Sequence, residues 1–264
     1  MWKVPAVIVV AVSLSACDKP SPAAPATPKG SATPAAARSA SYTYIHAFAR
    51  IRADQSPLTT SVAFSPDGAA LDPAATGSLE QAFDALKQQQ QAVAELIKAS
   101  ALAECTFSLP HPKAEGFDQD IVLAFSENFR AAARLLNADA ARLWTEGDTD
   151  GAVARISALY GMSAHAADQQ LVLLGLTVVA MQALANQSTV HMVRGTADRK
   201  LSDAQRDQLL QAIGRLNSVD PSGLERARKT EGTAQGDVLQ RILQSEATAK
   251  QDIAATQAAL RQRP

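Results

Sequence analysis

The stretch of sequence that decides the fold is RLLNADAARLWTEGDTDGAVARI, residues 134–156. Before Gly147, apolar residues recur every three or four positions, which places them on one face of a helix that can begin at Asp118. Gly147 is typical of a helix end, and Asp148 or Asp150 can cap a following helix. The stretch therefore predicts two helices joined by a tight turn.

Upstream of this turn, the sequence predicts a helix that reaches about Leu102. Its start has two alternatives, Asp72 with Pro73 or the later Ser78, because each can cap or open a helix. Residues 42–51 also carry apolar side chains at helical spacing, which predicts a shorter helix there.

Downstream of the turn, helical patterns continue almost to the end of the chain. A helix is predicted over about residues 168–194, and Ser202 with Gln205 forms a capping box for another that ends near Asn217. A last helical stretch opens at residue 220. The predicted fold is all-α: antiparallel helical hairpins stacked as an irregular bundle or a short solenoid, after a disordered N-terminal tether.

Residues 171–185 form the most apolar run of the chain after its first residues. The run is shorter than the roughly 20 residues that span a membrane, it contains Gln182, and Asn186 follows it. A central buried helix is therefore favoured over a transmembrane one.

The phrase VAFSPDG, residues 62–68, looks like the strand and turn of a β-propeller blade. A propeller repeats such a phrase about every 40 residues, and the sequence has no second copy. We expect a single loop turn here.

The first residues have the layout of an export signal. Lys3 precedes an apolar run over residues 6–12, and small residues follow before Cys17. The apolar run is too short to span a bilayer.

The sequence Leu14-Ser15-Ala16-Cys17 resembles the lipobox of bacterial lipoproteins. The resemblance implies cleavage after Ala16 and attachment of a diacylglyceryl group to the Cys17 sulfur, with palmitate-type acyl chains as the anchor. An ordinary secretory signal with a chance cysteine is the alternative. In enteric lipoproteins an aspartate such as Asp18 favours the inner membrane, but the choice between inner and outer membrane stays open.

After the cysteine, residues 18–41 are almost entirely Pro, Ala, Ser and Thr, without apolar periodicity. This composition predicts a spacer between membrane and body. The expected organisation is a signal peptide over residues 1–16, a lipidated tether over 17–41 and a single helical domain over 42–264.

Residues 96–184 resemble a pattern of uncharacterised helical proteins from planctomycete-type bacteria. The phrase RLLNADAARL, residues 134–143, followed by Glu146-Gly147-Asp148 and Ala152, carries this resemblance and is also similar to a tetratricopeptide half-repeat. No 34-residue period repeats, so a regular array is not expected. The resemblance implies stacked helical hairpins and carries no known activity.

Composition and charge limit the classes of function. The chain has 264 residues with 25 basic and 26 acidic side chains, a formal net charge of -1. A nucleic-acid-binding protein usually has a clearly basic face, so nucleic acid is not an expected partner. Two cysteines allow at most one disulfide, which excludes a disulfide-built scaffold.

The acidic residues around Gly147 invite a calcium hypothesis, because Glu146, Asp148 and Asp150 occupy alternate positions. An EF-hand loop would need a glutamate at its twelfth position, which is Ser157. A capped turn between two helices explains the same residues, and we expect no metal site.

The histidines and the remaining cysteine give no clear catalytic pattern. The four histidines are His46, His111, His165 and His191, and none belongs to a metal-binding motif. His165 and His191 are expected to lie too far apart within one hairpin to share a metal. Cys105 could act as a thiol nucleophile only beside a histidine, and its small and apolar neighbours favour a buried role. An intermolecular disulfide is the other option for Cys105.

Two further features suggest contacts with a partner. Trp144 is either a binding anchor or, as we favour, a core residue. The C-terminal residues have heptad-like spacing, interrupted by Glu246 and Thr256, which fits a partner helix or a helix packed on its own body. The apolar positions in that spacing are Leu239, Ile242, Ala249, Ile253 and Leu260.

No nucleophile, phosphate-binding or dinucleotide motif occurs in the sequence. These observations favour a noncatalytic, lipid-anchored protein of the bacterial envelope, exported to the extracytoplasmic side, that binds another envelope protein without a cofactor. The alternatives are a carrier of an apolar ligand and an envelope hydrolase. An apolar cavity would favour the carrier, and a cleft joining a histidine, a carboxylate and a hydroxyl would favour the hydrolase.

Overall fold

A computed structural model describes residues 40–53, 59, 61–65, 68–107, 109, 118–195, 199–216, 220–231 and 237–262. The signal peptide, Cys17 and the tether up to residue 39 lie outside the described residues and stay predictions, and so does any role of His111. The described elements are α1 Ala40–Ala53, β1 Val62–Ser65, β2 Gly68–Leu71, α2 Leu79–Gln88, α3 Gln90–Ser100, α4 Gln119–Glu146, α5 Thr149–Ala167, α6 Val172–Arg194, α7 Asp203–Gly214, α8 Leu224–Glu231 and α9 Asp237–Arg261. The all-α prediction is confirmed.

The hairpin of α4 and α5 is built as the sequence predicts. The Asp118 carboxylate accepts the Asp120 N–H at the start of α4. Gly147 ends α4 with a φ of 88°, a left-handed conformation that glycine adopts without strain. The Asp148 carboxylate accepts the Gly151 N–H at 2.8 Å and so caps α5.

The helix predicted to reach Leu102 is two helices, α2 and α3, so a single helix was wrong. Ser78 caps α2 with a capping box, which decides between the two proposed starts. The break falls at Gln89, where the Leu86 carbonyl accepts from the Gln89 N–H and from the Gln90 side-chain amide. The same Gln90 amide donates to Asp139 on α4, so a distant contact stabilises the break.

The expectation of a loop turn over residues 62–68 was also wrong, because these residues begin a β-hairpin. β1 pairs with β2 in antiparallel register, from Val62 opposite Leu71 to Ser65 opposite Gly68. The alternation of Val62 and Phe64 buries one face of β1 in the hydrophobic core. The Ala69 N–H donates to Thr145 Oγ1 at 2.8 Å, which fixes β2 on α4.

α6 is the central helix and packs against α4, α5, α8 and α9. It is the one described helix long and apolar enough to cross a membrane, and 56% of that apolar window is buried inside the protein. Its buried polar side chains have partners on neighbouring elements: Thr177 with Ser126, Gln182 with the Pro221 carbonyl, Asn186 with Tyr160, and Ser188 with Asn137. These bonds match the prediction of a buried central helix. α6 begins at Val172 rather than near Asp168, because α5 continues to Ala167.

The C-terminal helix α9 packs on the protein's own α6 and α7, one of its two predicted uses. Ala249 and Leu260 are buried and Ile253 is partly buried, as the heptad-like spacing requires. Glu246 and Thr256 do not interrupt this face but share it. The Glu246 carboxylate pairs with Lys250, and the Thr256 hydroxyl donates to the Asp252 carbonyl. The side chains of Leu239 and Ile242 lie outside the described residues.

Helices α3, α4 and α5 are joined by a buried ionic cluster around Asp139, whose side chain is fully buried. Its Oδ1 accepts from Arg142 at 2.8 and 2.9 Å and from Gln90, and its Oδ2 accepts from Arg155 at 2.9 Å. Arg155 also donates to Gln90 Oε1. A buried carboxylate needs such a full set of donors, so this cluster fixes how the three helices pack.

The scarce aromatic residues are concentrated where α1 joins the body. Their ring centroids lie 4.7 to 6.1 Å apart in tilted, stacked and edge-to-face pairs. The cluster comprises Tyr44, Phe48, Phe107, Phe125 and Phe129. Because such rings bury large apolar areas, the cluster anchors α1 on α4.

Candidate functional site

An open groove lies between α3 with the residues after it, α5 and α7. Its volume is about 440 Å³, within the range of about 300–1,000 Å³ that ligand sites occupy. Each helix presents one face, with residues spaced three and four apart. The lining residues are Ile97, Ser100, Ala101, Ala103, Ala154, Ser157, Ala158, Gln208, Gln211, Ala212 and Arg215.

Small side chains give the groove its depth. Five of the lining residues are alanines, which fill less space between the helices than larger apolar residues would. Gly161, one turn beyond Ala158 and Ser157, brings α5 close to the end of α3. A Cβ atom at Gly161 would lie 2.6 Å from the Ser100 carbonyl oxygen and 2.9 Å from Arg215 Nη1. The close approach of these helices therefore requires glycine.

Arg215 closes one end of the groove and is held by backbone. Its Nη1 donates to the Ser100 carbonyl at 2.5 Å, and its Nη2 donates to the Leu102 carbonyl at 2.6 Å. Carbonyls at a helix C-terminus lack partners within their own helix, so the end of α3 is a natural acceptor for a guanidinium. Arg215 therefore has a fixed position although its side chain is exposed.

His165 lies behind Arg215 in the core. Its Nε2 lies 3.0 Å from the Leu102 carbonyl, and its Nδ1 lies 2.9 Å from the Tyr44 hydroxyl. A carbonyl only accepts, so we assign the ring proton to Nε2, and Nδ1 then accepts from Tyr44. Burial, and second the positive charge of Arg215, lower the pKa of His165. The ring is therefore neutral, with both nitrogens occupied.

Ser157 lines the groove, but its hydroxyl oxygen is shielded from solvent. This oxygen makes no hydrogen bond within the described part of the chain, which costs free energy.

Comparisons with protein-family models, with curated protein sequences and with solved structures found no match to this chain. The groove is therefore interpreted from its own chemistry.

The other residues singled out from the sequence lie away from a common site. Cys105 is buried, and burial together with the negative charge of Asp168 raises the pKa of its thiol to about 12, which leaves it unreactive at neutral pH. His46 is exposed beside the Tyr42 ring. His191 is half-buried on α6. Trp144 is buried, which confirms the prediction of a core residue.

The acidic side chains of the turn after α4 make hydrogen bonds within the fold. Asp148 caps α5, and Asp150 accepts from the Gln205 side chain at 2.6 Å. Within the ranges that the structure describes, no three His, Cys, Asp or Glu side chains could together hold a metal ion.

Sequence reasoning did not find the groove or its two key residues, Gly161 and Arg215. Ser157 and Ala158 lie three and four residues after Ala154, and Gly161 lies four and three residues after them, which is a signal of close helix packing. The signal does not say which helix approaches, so it could not predict a groove.

A second, smaller pocket lies between the end of α7 and α9. Its volume is about 220 Å³, and its lining is mixed apolar and polar. The lining residues are Ile213, Gly214, Leu216, Pro221, Lys250, Ile253, Ala254 and Gln257.

Proposed function

We propose that this protein is a noncatalytic, lipid-anchored interaction module of the bacterial envelope, and that the groove between α3, α5 and α7 is its docking surface. The groove is the main observation that supports this proposal, because it combines a floor of alanines with a guanidinium held in place by two backbone carbonyls. Such preorganised groups bind without the entropic cost of ordering a free side chain.

The chemistry beside the groove supports binding rather than catalysis. A general base needs a free nitrogen or oxygen within reach of a substrate. His165 is the histidine in contact with Arg215, and both of its nitrogens are occupied inside the core. The Cys105 thiol, with its raised pKa, is a poor nucleophile.

The anchor in this proposal rests on the sequence of the first residues. Cleavage after Ala16 would leave Cys17 as a lipidated N-terminus, and the Pro- and Ala-rich residues that follow would connect it to the body. Two or three acyl chains hold a protein on a membrane stably. The groove would then face partners in the extracytoplasmic space.

Site-specific photo-crosslinking in intact cells tests the docking surface. A photoreactive residue replaces Gln211, which lines the groove and is exposed, and a matched variant carries it at Ala247, which is exposed on α9. We expect a defined protein adduct from position 211 and none of the same mass from position 247. No adduct from position 211, or the same adducts from both positions, would contradict the proposal.

The second candidate function is a carrier of a small apolar ligand. The pocket lined by Ile213, Leu216 and Ile253 favours it, but its volume of about 220 Å³ is below the usual range for ligand sites. Native mass spectrometry of the purified protein separates the two functions, because a carrier would retain a small molecule of constant mass and an interaction module would not.

A further inference from the structure

We infer that the groove selects a protein segment that is apolar and carries a carboxylate, with Arg215 binding the carboxylate. This inference rests on the proposed function and names the chemistry of the partner. The carboxylate is that of an Asp or Glu side chain within the segment, because the groove is open and the amides of Gln208 and Gln211 suit a backbone that continues along it.

The groove carries a positive charge. Among the described residues that line it, Arg215 is the one charged side chain. Arg142 and Arg155 face the Asp139 carboxylate, whereas Arg206 on α7 binds backbone carbonyls. Arg215 also binds two neutral carbonyls, so its positive charge is not neutralised there, and unlike the buried Arg206 it is exposed to a partner. An anionic partner group is the complement of this groove.

Arg215 keeps N–H donors that a partner can use. A guanidinium has five N–H donors, and the two carbonyls take one from each terminal nitrogen. Nη2 also lies 3.5 Å from His165 Nε2, but this nitrogen carries the ring proton and does not accept. The Nε–H and one N–H on each Nη therefore have no acceptor among the described residues. A carboxylate accepts two parallel N–H groups from one guanidinium, and such a bidentate pair is strong and directional.

The other residues that line the groove suit the side chains and backbone of a peptide. Ile97 and the alanines give an apolar floor that accepts side chains of a partner without polar groups. Gln208 and Gln211 each offer an amide that both donates and accepts, which suits the N–H and C=O groups of a peptide backbone. These groups together fit a peptide better than a lipid chain or a free anion.

The inference is tested with synthetic peptides and the full-length protein in lipid nanodiscs, with empty nanodiscs as the reference. Three fluorescent ten-residue peptides of Leu and Ala carry one internal Glu with an amidated end, one internal Gln with an amidated end, or no internal charge with a free C-terminal carboxylate. Fluorescence anisotropy measures binding. We expect the Glu peptide to bind about tenfold or more tightly than the Gln peptide, as a charged hydrogen bond provides, and more tightly than the peptide with the free C-terminal carboxylate.

Variants assign the preference to the groove. Arg215→Gln should abolish the preference for the carboxylate, whereas Arg194→Gln, an equal charge change on exposed α6 surface, should retain it. Arg215→Lys keeps the positive charge but loses the two parallel N–H donors of the guanidinium, so it should give an intermediate preference for the Glu peptide. Ala154→Leu fills the groove and should weaken all peptides while leaving Arg215 in place. If Arg215→Gln does not fold, Arg215→Lys and Ala154→Leu still decide the question.

Equal binding of the Glu and Gln peptides would overturn the inference, as would tighter binding of the free-carboxylate peptide than of the Glu peptide. A preference for Glu that survives Arg215→Gln, or strong binding of all peptides by Ala154→Leu, would also overturn it. Failure of the proposed function would look different, because position 211 would then give no protein adduct in cells.

Discussion

Arg215 Nη2 and His165 Nε2 donate to the same acceptor, the carbonyl oxygen of Leu102, over 2.6 and 3.0 Å. Through this oxygen, the end of the groove is coupled to the site where α1 joins the body, since His165 also binds Tyr44 of α1. The arrangement requires a neutral His165, because the adjacent guanidinium is already positive.

The first prediction concerns pH. In the unfolded chain a histidine binds a proton below about pH 6.5, whereas the folded protein lowers the pKa of His165. The unfolded state therefore binds more protons as the pH falls, so the contribution of His165 to stability is complete above about pH 6.5 and declines toward the folded pKa. Urea unfolding at pH 8 and pH 5 should show a larger loss of stability for the parent than for His165→Gln.

His191→Gln is the control for this prediction. Burial and Arg194 also lower the pKa of His191, but its ring is less buried than that of His165. We expect a smaller change in pH dependence from this variant. A parent and a His165→Gln variant with the same pH dependence would show that His165 does not couple folding to pH.

The second prediction concerns the Tyr44 hydroxyl. Tyr44→Phe removes the donor to His165 Nδ1 and leaves a buried acceptor without a partner. The expected cost is about 1–3 kcal/mol in the free energy of unfolding. Tyr42→Phe, at a half-exposed position of the same helix, should change stability by less than about 0.5 kcal/mol. Equal changes in the free energy of unfolding for the two variants would mean that the buried Tyr44–His165 hydrogen bond contributes no more to stability than the Tyr42 hydroxyl does.

The third prediction concerns the ionic cluster around Asp139. Asp139→Ala removes the carboxylate that Arg155 binds and one of the two that Arg142 binds, since Arg142 keeps its pair with Glu146. We expect a loss of up to about 3–5 kcal/mol, because the partly buried Arg155 guanidinium is left without a carboxylate. Asp84→Ala breaks an exposed pair with Lys87 and should cost about 0–1 kcal/mol. A loss below about 1 kcal/mol for Asp139→Ala in thermal or urea unfolding would contradict this account of the cluster.

The fourth prediction separates two helical glycines. Gly161→Ala places a methyl group 2.6 Å from the Ser100 carbonyl, so α3 and α5 must move apart, at a cost of about 1–3 kcal/mol. Gly214→Ala on α7 meets nothing within 4 Å and should stabilise the protein by up to about 1 kcal/mol, since alanine is the better helix former. Calorimetry of the two variants checks the opposite signs, and stabilisation by both would refute the close approach at Gly161.

The fifth prediction concerns the proposed anchor. Cys17→Ser removes the sulfur to which the diacylglyceryl group would be attached, and we expect the protein to move from the membrane fraction to the soluble fraction. Cys105→Ser, a change at the other cysteine, should leave the parent's membrane fraction unchanged. A Cys17→Ser protein that fractionates with membranes as the parent does would rule out the lipid anchor.

The sequence was sufficient at the helix ends, where structure depends on neighbouring residues. Gly147, Asp148, Ser78 and the pair Ser202 with Gln205 mark helix ends through contacts within a few residues, and each acts as predicted. The break at Gln89 was not predictable, because the Gln90 amide that stabilises it binds a residue 49 positions away.

The groove was not predictable for the same reason. Its three walls come from α3, α5 and α7, and only the packed structure places the end of α3 within reach of Arg215, more than 110 residues further along the chain. From the sequence alone, Arg215 is one of 25 basic residues with no motif around it.

The most direct test of the central claim is photo-crosslinking from position 211 in intact cells, with and without the second change Ala154→Leu, which fills the groove at a partly exposed position. We predict a protein adduct that is strongly reduced by Ala154→Leu while the protein's abundance and thermal stability stay close to those of the parent. An adduct of unchanged yield would contradict the claim that the groove between α3, α5 and α7 is the docking surface.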